Sequence, residues 1–193
     1  MSALIRLTNV VAGAEMAAPL ALPQLAHFLT LHLPQYRSIK HRLTHPRILT
    51  VLLKTVSRRR GRVTALVYPT GQLTVCGAKS VEEALEETQK MVKLCAQFLQ
   101  LPNLPAARIK TITATTSFPR TVSSLRLEQV KALWPDHSSL EPEIFNGLVL
   151  QFTGSVKLIL FHTYRCIIAG ARTVSEAESA ANELARVLCS SEL

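Results

Sequence analysis

The side chains able to do covalent or metal chemistry are few and poorly spaced for it. Cys76, Cys95, Cys166 and Cys189 form no C-x-x-C pair. The six histidines, at 27, 32, 41, 45, 137 and 162, make no zinc-ligand spacing. The sequence holds no G-x-S-x-G, no H-E-x-x-H and no catalytic paired-carboxylate motif, and no phosphate-loop pattern surrounds Gly77 or Gly170. Neither catalysis nor a metal or other cofactor is expected, and the thiols read as reduced side chains in a packed core. A non-covalent chemistry is more legible. Strand residues alternate faces, so Leu66 and Tyr68 share one, as do Thr74 and Cys76. Their later counterparts are Ile159, Phe161, Ile167 and Ala169. This set carries no charge, and cations flank it: Lys54, Arg62 and Lys79, then Lys157, Arg165 and Arg172. A core face has a similar composition. An apolar floor with a basic rim also suits the DNA minor groove, where sugars and base edges meet the floor and phosphates the rim.

The charge distribution points the same way. The net charge is +9 over 193 residues. Residues 1–96 hold thirteen Lys and Arg against five Asp and Glu, and residues 97–193 hold nine against eight. No acidic residue occurs between Glu15 and Glu82, a stretch that includes Arg58-Arg59-Arg60. Such clustering suits a polyanionic partner. No apolar run approaches the ~20 residues of a membrane-spanning helix. The opening MSALIRLTNVVAG lacks the charged head and long apolar stretch of a secretory signal, so a soluble intracellular protein is expected. With 48% apolar residues there is enough for one large or two fused small cores.

The elements that must position these residues come as a repeat. Residues 61–95 align without gaps on 154–188, at an offset of 93. Gly77-Ala78-Lys79-Ser80-Val81 meets Gly170-Ala171-Arg172-Thr173-Val174, and Tyr68 meets Phe161. Arg6-Leu7-Thr8-Asn9-Val10 resembles Arg108-Ile109-Lys110-Thr111-Ile112, at an offset of 102. Each copy opens with a short strand, Ile5–Val11 in the first. A helix follows, near Leu22–Leu33 and near Ser123–Trp134, with Pro23 in a first turn and Ser124 as a cap. Strands come next: Ile48–Thr55, Val63–Pro69 and Gln72–Gly77, then Leu148–Phe152, Val156–His162 and Arg165–Gly170. Gly77 and Gly170 read as tight turns into the last helix. Ser80 with Glu83, and Thr173 with Glu176, fit capping boxes that start it. Val81, Ala84, Leu85, Thr88, Met91, Val92, Cys95 and Phe98 form a core stripe behind Ser80. Glu82, Glu83, Glu86 and Glu87 gather at that helix's start, where the macrodipole favours acids. Two strand–helix–strands–helix units can pair their sheets edge to edge. The helices then cover one face and leave the other open.

Several stretches resemble the TATA-box-binding-protein family. Thr64-Ala65-Leu66-Val67-Tyr68-Pro69-Thr70-Gly71-Gln72, with Cys76-Gly77-Ala78-Lys79-Ser80, is similar to that family's T-A-L-I-F-x-S-G-K and T-G-A-K-S. Glu141-Pro142-Glu143-Ile144-Phe145-Asn146-Gly147-Leu148 is similar to E-P-E-L-F-P-G-L, and Thr8-Asn9-Val10-Val11 to Q-N-I-V. The resemblance implies an α+β fold: two tandem copies, residues 1–100 and 101–193, forming one continuous curved antiparallel sheet, a saddle, with helices on the convex face. It implies a nuclear, DNA-binding transcription initiation factor that grips and bends double-stranded DNA from the minor groove.

Carried over residue by residue, the resemblance makes Ile48 with Tyr68, and Phe145 with Phe161, two pairs of wedges between base steps. The groove floor would be Asn9, Val11, Leu66, Thr74, Cys76, Thr111, Thr113, Ile159, Ile167 and Ala169. Lys54, Arg62, Lys79, Arg165 and Arg172 would meet phosphates, while one basic family position is Gln151. Glu141, Glu143 and Ile144 would bind a transcription factor IIB-like protein. The departures are specific. Two family Phe are Ile48 and Tyr68, a central Asn is Thr111, and two Thr are Cys76 and Ala169. Relaxed TATA preference is expected. The alternative is a scaffold that nucleates a protein assembly without sequence-specific DNA binding. Free of DNA, the apolar concave face would also suit a homodimer.

Overall fold

The structure, a computed structural model, describes residues 3–32, 38–41, 48–53, 63–118 and 126–190. The chain packs into two compact units. The first is Asn9–Lys110; the second joins Met1–Thr8 to Thr111–Leu193. Three hydrogen bonds tie the N-terminal residues into the second unit: Ala3 N–H donates to Asn182 Oδ1 (2.7 Å), Thr8 Oγ1 to the Thr113 carbonyl (3.1 Å), and Thr116 Oγ1 to the Leu4 carbonyl (2.8 Å).

The first unit takes strand β1 (Arg6–Glu15) from Asn9 onward, then α1 (Leu22–His32), β2 (Ser38–His41), β3 (Leu49–Leu52), β4 (Thr64–Val67), β5 (Gln72–Ala78) and α2 (Val81–Leu99). Its antiparallel sheet runs β2-β3-β4-β5-β1. The second unit takes β6 (Arg108–Ser117) from Thr111 onward, then α3 (Leu127–Ala132), a 3-10 turn Pro135–His137, β7 (Ser138–Glu141), β8 (Phe145–Gln151), β9 (Lys157–Phe161), β10 (Arg165–Ala171) and α4 (Val174–Ser190). Its order is β7-β8-β9-β10-β6, again antiparallel. The fold class is α+β, one unit built twice.

Alternation along each strand decides what is buried. Ala65, Val67, Leu73 and Val75 are fully buried, as are Leu158, Leu160, Cys166 and Ile168. Helix α2 packs on β5 and on α1, and α4 packs on β10. Leu25, Leu29, Met91, Val92 and Cys95 complete the core of the first unit; Ala177, Ala180, Leu184 and Leu188 line that of the second. Each such Leu contributes about 1.5–3 kcal/mol by leaving water.

Both capping boxes are present. Ser80 Oγ accepts from Glu83 N–H (3.1 Å), and Glu83 reaches back to Lys79 N–H (2.8 Å). Thr173 Oγ1 accepts from Glu176 N–H (3.1 Å), and Glu176 reaches back to Arg172 N–H (2.7 Å). Each Glu thus caps the residue before the hydroxyl, which also fixes the backbone of Lys79 and Arg172 at the strand end.

Several expectations are corrected. Gly77 and Gly170 are not turns; they lie inside β5 and β10 with φ of 97° and 87°. Both sit at register shifts, against β1 and β6 respectively. A bulge there needs a left-handed backbone, which glycine adopts without strain. Helix α3 is shorter than 123–134 and is capped at Arg126, whose N–H is held by the Gln129 side chain (2.7 Å). Ser124 lies outside the described residues. Strand β1 runs on to Glu15 through Ala12-Gly13-Ala14, small residues that gave no strand signal. The edge strands β2 and β7 were not expected, and the Ser-Ser-Leu-Glu of β7 has no apolar alternation. In α2, Leu85 and Phe98 stay half-exposed while Glu87 is buried, its charge met by Lys90 at 2.6 Å.

Two predictions follow from the packing. Leu184→Ala empties a fully buried site and should cost about 2–5 kcal/mol in urea unfolding; Ser80→Ala removes one cap and should cost about 1 kcal/mol. Burial pushes the Cys95 and Cys166 thiols from 9.0 up to about 12. Both should therefore resist iodoacetamide at pH 8 in the folded protein and react after unfolding. Because folding raises these pKa values, the stabilisation they provide is complete below pH 9.0 and is lost as pH rises toward about 12.

Candidate nucleic-acid interface

The face of each sheet opposite the core carries the residues singled out as floor. In the first unit Asn9, Val11, Leu66, Thr74 and Cys76 are half-buried, and in-register neighbours bring them together. Leu66 pairs with Thr74, and Thr64 with Cys76. In the second unit Thr111, Thr113, Ile159, Ile167 and Ala169 are half-buried in the same way, with Ile159 paired to Ile167. Burial pushes the Cys76 thiol above its ordinary value. It stays protonated near neutral pH, a compact, weakly polar group.

Asn9 is held in one orientation. Its Oδ1 accepts from the Gly77 N–H at 2.7 Å. Only the oxygen of the amide can accept that bond, so the amide nitrogen and its two donors are turned away from Gly77. The bulge at Gly77 supplies the N–H that does this. At the matching place in the second unit stands Thr111, too short to repeat the arrangement.

The two suspected wedge pairs differ. Phe145 and Phe161 lie 5.9 Å apart between ring centroids, edge to face, and Phe145 is 42% exposed. Gly147 is paired with Phe161, and a Cβ on it would fall 2.6 Å from Phe145 Cε1. The missing side chain is what lets the Phe145 ring lean back toward Phe161. Ile48 and Tyr68 immediately flank the paired residues Leu49 and Val67 and are half-buried. They occupy the corresponding end of the first unit with one ring in place of two.

Lys79, Arg165 and Arg172 are exposed. Lys54 and Arg62, like Arg58-Arg59-Arg60, lie outside the described residues. Lys157 shares the face of Ile159 and Phe161 and pairs with Ala169, so it belongs to the floor more than to the flank. Gln151, at a basic family position, spends its amide on its own hairpin, donating to the carbonyls of Gly154 (2.8 Å) and Val156 (3.3 Å). Glu141 and Glu143 are exposed, and Ile144 between β7 and β8 is 80% exposed.

One participant had no sequence signal. Lys110 sends its stem over Gly13 and donates from Nζ to Thr74 Oγ1 at 3.0 Å. Its position in the repeat is that of Thr8 in the first copy, which gave no hint of a cation on the floor. The small residue at 13, where an ordinary strand side chain would stand, was the available clue. Among the described residues no group of His, Cys, Asp and Glu could hold a metal ion.

Comparison with known proteins gives one family. The family described as "Transcription factor TFIID (or TATA-binding protein, TBP)" matches residues 4–98 and again 106–191. The TATA-box-binding protein of Pyrobaculum aerophilum is 28% identical over 184 residues, covering 93% of this chain and 83% of that protein. That of Pyrodictium occultum is 32% identical over 125 residues, 64% of this chain, and the match spans only 61% of that protein's length. Among solved structures, Methanococcus jannaschii TBP superposes with a TM-score of 0.68 at 21% identity, covering 95% of this chain and 97% of its own, a likeness of fold. Matched twice along its length by one family pattern, with each match folded as the same α+β unit, this chain belongs to the TATA-binding-protein family.

Proposed function

We propose that this protein is a general transcription initiation factor that binds double-stranded DNA through the minor groove. The observation that carries this reading is the face opposite each core: half-buried, uncharged over most of its floor, and accompanied by exposed cations. Relatives named TATA-box-binding proteins support it. Phe145 and Phe161 unstack a base step as a pair, and Ile48 with Tyr68 does so less deeply, kinking the duplex toward the major groove. Val11, Leu66, Thr74, Cys76, Thr113, Ile159, Ile167 and Ala169 lie against sugars and base edges, and the Asn9 amide donates to minor-groove acceptors. Thr111 supplies no matching amide, so TATA preference is relaxed. Lys54, Arg62, Lys79, Arg165 and Arg172 neutralise phosphates. Glu141, Glu143 and Ile144 form an exposed acidic and apolar patch that recruits a transcription factor IIB-like protein. Such work places the protein with the genome, in the nucleus of a nucleated cell. Without DNA the same apolar face suits a second copy of the chain.

Electrophoretic mobility shift against a TATA duplex tests the reading. Five phosphate contacts predict that log K falls with log salt at a slope of about −4 to −5. Phe145→Ala should lose about tenfold to a hundredfold in affinity and reduce bending in a circular-permutation assay. A TATA duplex should be preferred over a G·C-rich one by less than ~10³ at fixed salt. Absence of salt-dependent binding to any duplex would favour the DNA-independent scaffold.

The partner patch has its own test. Ile144→Ala combined with Glu143→Ala should leave DNA affinity within about twofold. The supershift produced by a transcription factor IIB-like protein should weaken by at least about tenfold, the scale of losing one exposed anchor residue.

A further inference from the structure

The lysine on the floor of the first unit, Lys110, is held there by Gly13 and Thr74. Gly13 lies between Ala12 and Ala14, whose side chains are in the core. Its missing Cβ therefore points to the opposite, open face. That space is taken by the Lys110 stem and the Leu73 carbonyl: a Cβ on Gly13 would collide with Lys110 Cε, and would stand 2.6 Å from the Leu73 carbonyl oxygen and 2.8 Å from Lys110 Nζ. Gly13 is paired with Thr74, and Thr74 Oγ1 accepts from the Lys110 ammonium at 3.0 Å. The charge is therefore held within the row Gly13–Thr74–Leu66 and is not swung out to a rim. It also forms part of the wall of an open cavity of about 590 Å³ together with Glu15, Gln72 and Arg108, so there is room for a ligand beside it.

In the second unit the row related by the repeat is Thr115–Ile167–Ile159, which carries no amine. The lysine on that unit's open face, Lys157, lies in the next row, paired with Ala169.

We propose that Lys110 reads base edges: it is a specificity-determining residue that selects A·T over G·C at the base pair lying on the Gly13–Thr74–Leu66 row. This rests on the minor-groove reading above. An ammonium has three donors and no acceptor. One donor is given to Thr74, which aims the group and leaves two for a ligand. In the minor groove A·T pairs offer only acceptors, adenine N3 and thymine O2, whereas G·C adds the guanine N2 amino donor. A fixed ammonium meets an acceptor on A·T and a second donor on G·C. A narrow A·T-rich groove also has a more negative potential, which draws a cation to the floor. Preference lost at Thr111 in the second unit is thereby retained in the first.

The test uses the full-length protein and a series of A·T duplexes in which each position in turn becomes G·C or inosine·C. Inosine·C lacks the amino group and looks like A·T from the minor groove. Wild-type protein should bind about tenfold more weakly when G·C stands at one or two adjacent positions, and inosine·C there should restore affinity. Lys110→Met keeps the stem over Gly13 and removes the donors. It should flatten the penalty at those positions and leave the others unchanged; Thr74→Val, which releases the ammonium, should flatten it in part. An unchanged profile in Lys110→Met overturns the inference alone. So does uniform weakening on every duplex with a salt slope about one unit shallower, because that is the behaviour of a phosphate contact. Failure of wild-type protein to bind any duplex would overturn the minor-groove reading and the inference with it.

Discussion

The structure depends on burying one face of each sheet and leaving the other unburied. A strand exposes its side chains to both sides in turn, so helices on one side can satisfy only every second residue. Leu73 and Val75 vanish under α2 while Thr74 and Cys76, their neighbours, stay half-exposed; Leu158 and Leu160 are buried while Ile159 and Phe161 are not. Apolar side chains on the second face are at best half-buried by folding the unit itself. An Ile159 or a Phe145 standing there is stabilised further when something covers it.

That constraint explains the placement of the polar groups. Several candidates for recognition are held, at the side chain or at the backbone, by a partner that folding already provides. Asn9 is oriented by the Gly77 N–H, Lys110 by Thr74, and the backbones of Lys79 and Arg172 by the glutamates that cap α2 and α4. Groups fixed before binding lose less freedom on binding. The glycines at 13 and 147 act in the same way: by having no side chain they let Lys110 and Phe145 lie down on the sheet instead of standing away from it.

The two copies share a backbone and differ in chemistry. One unit has Asn9, Lys110 and the Ile48–Tyr68 pair; the other has Thr111, Lys157 and two phenylalanines. Duplication preserves what the core needs, the small and aliphatic residues under the helices, because a change there costs stability. The open face is free of that cost, and there the two halves differ in polarity and charge as well as in size. Two open faces of unlike chemistry are the physical outcome.

The core and the repeat were legible in the residues. Period-two alternation fixed which face of β4, β5, β9 and β10 is buried, and hydroxyl–Glu spacing fixed the starts of α2 and α4. These are local signals, carried by neighbours within four residues. The family motifs at residues 64–80 and 141–148 were equally legible, and the matching family pattern agrees with them. Other features were decided only by tertiary structure. Gly77 and Gly170 looked like turn residues, and only pairing with β1 and β6 makes them bulges inside strands. Residues 1–8 look like the start of the first copy, yet they pack with the second unit, as the bonds from Ala3 and Thr8 show. Strands β2 and β7 owe their existence to the neighbour they pair with, not to their own composition. Lys110 was an ordinary surface lysine until the fold set it across Gly13 and against Thr74, 36 residues away in sequence. A contact between residues that far apart has no local signature, because it exists only once the strands between them have been brought into register.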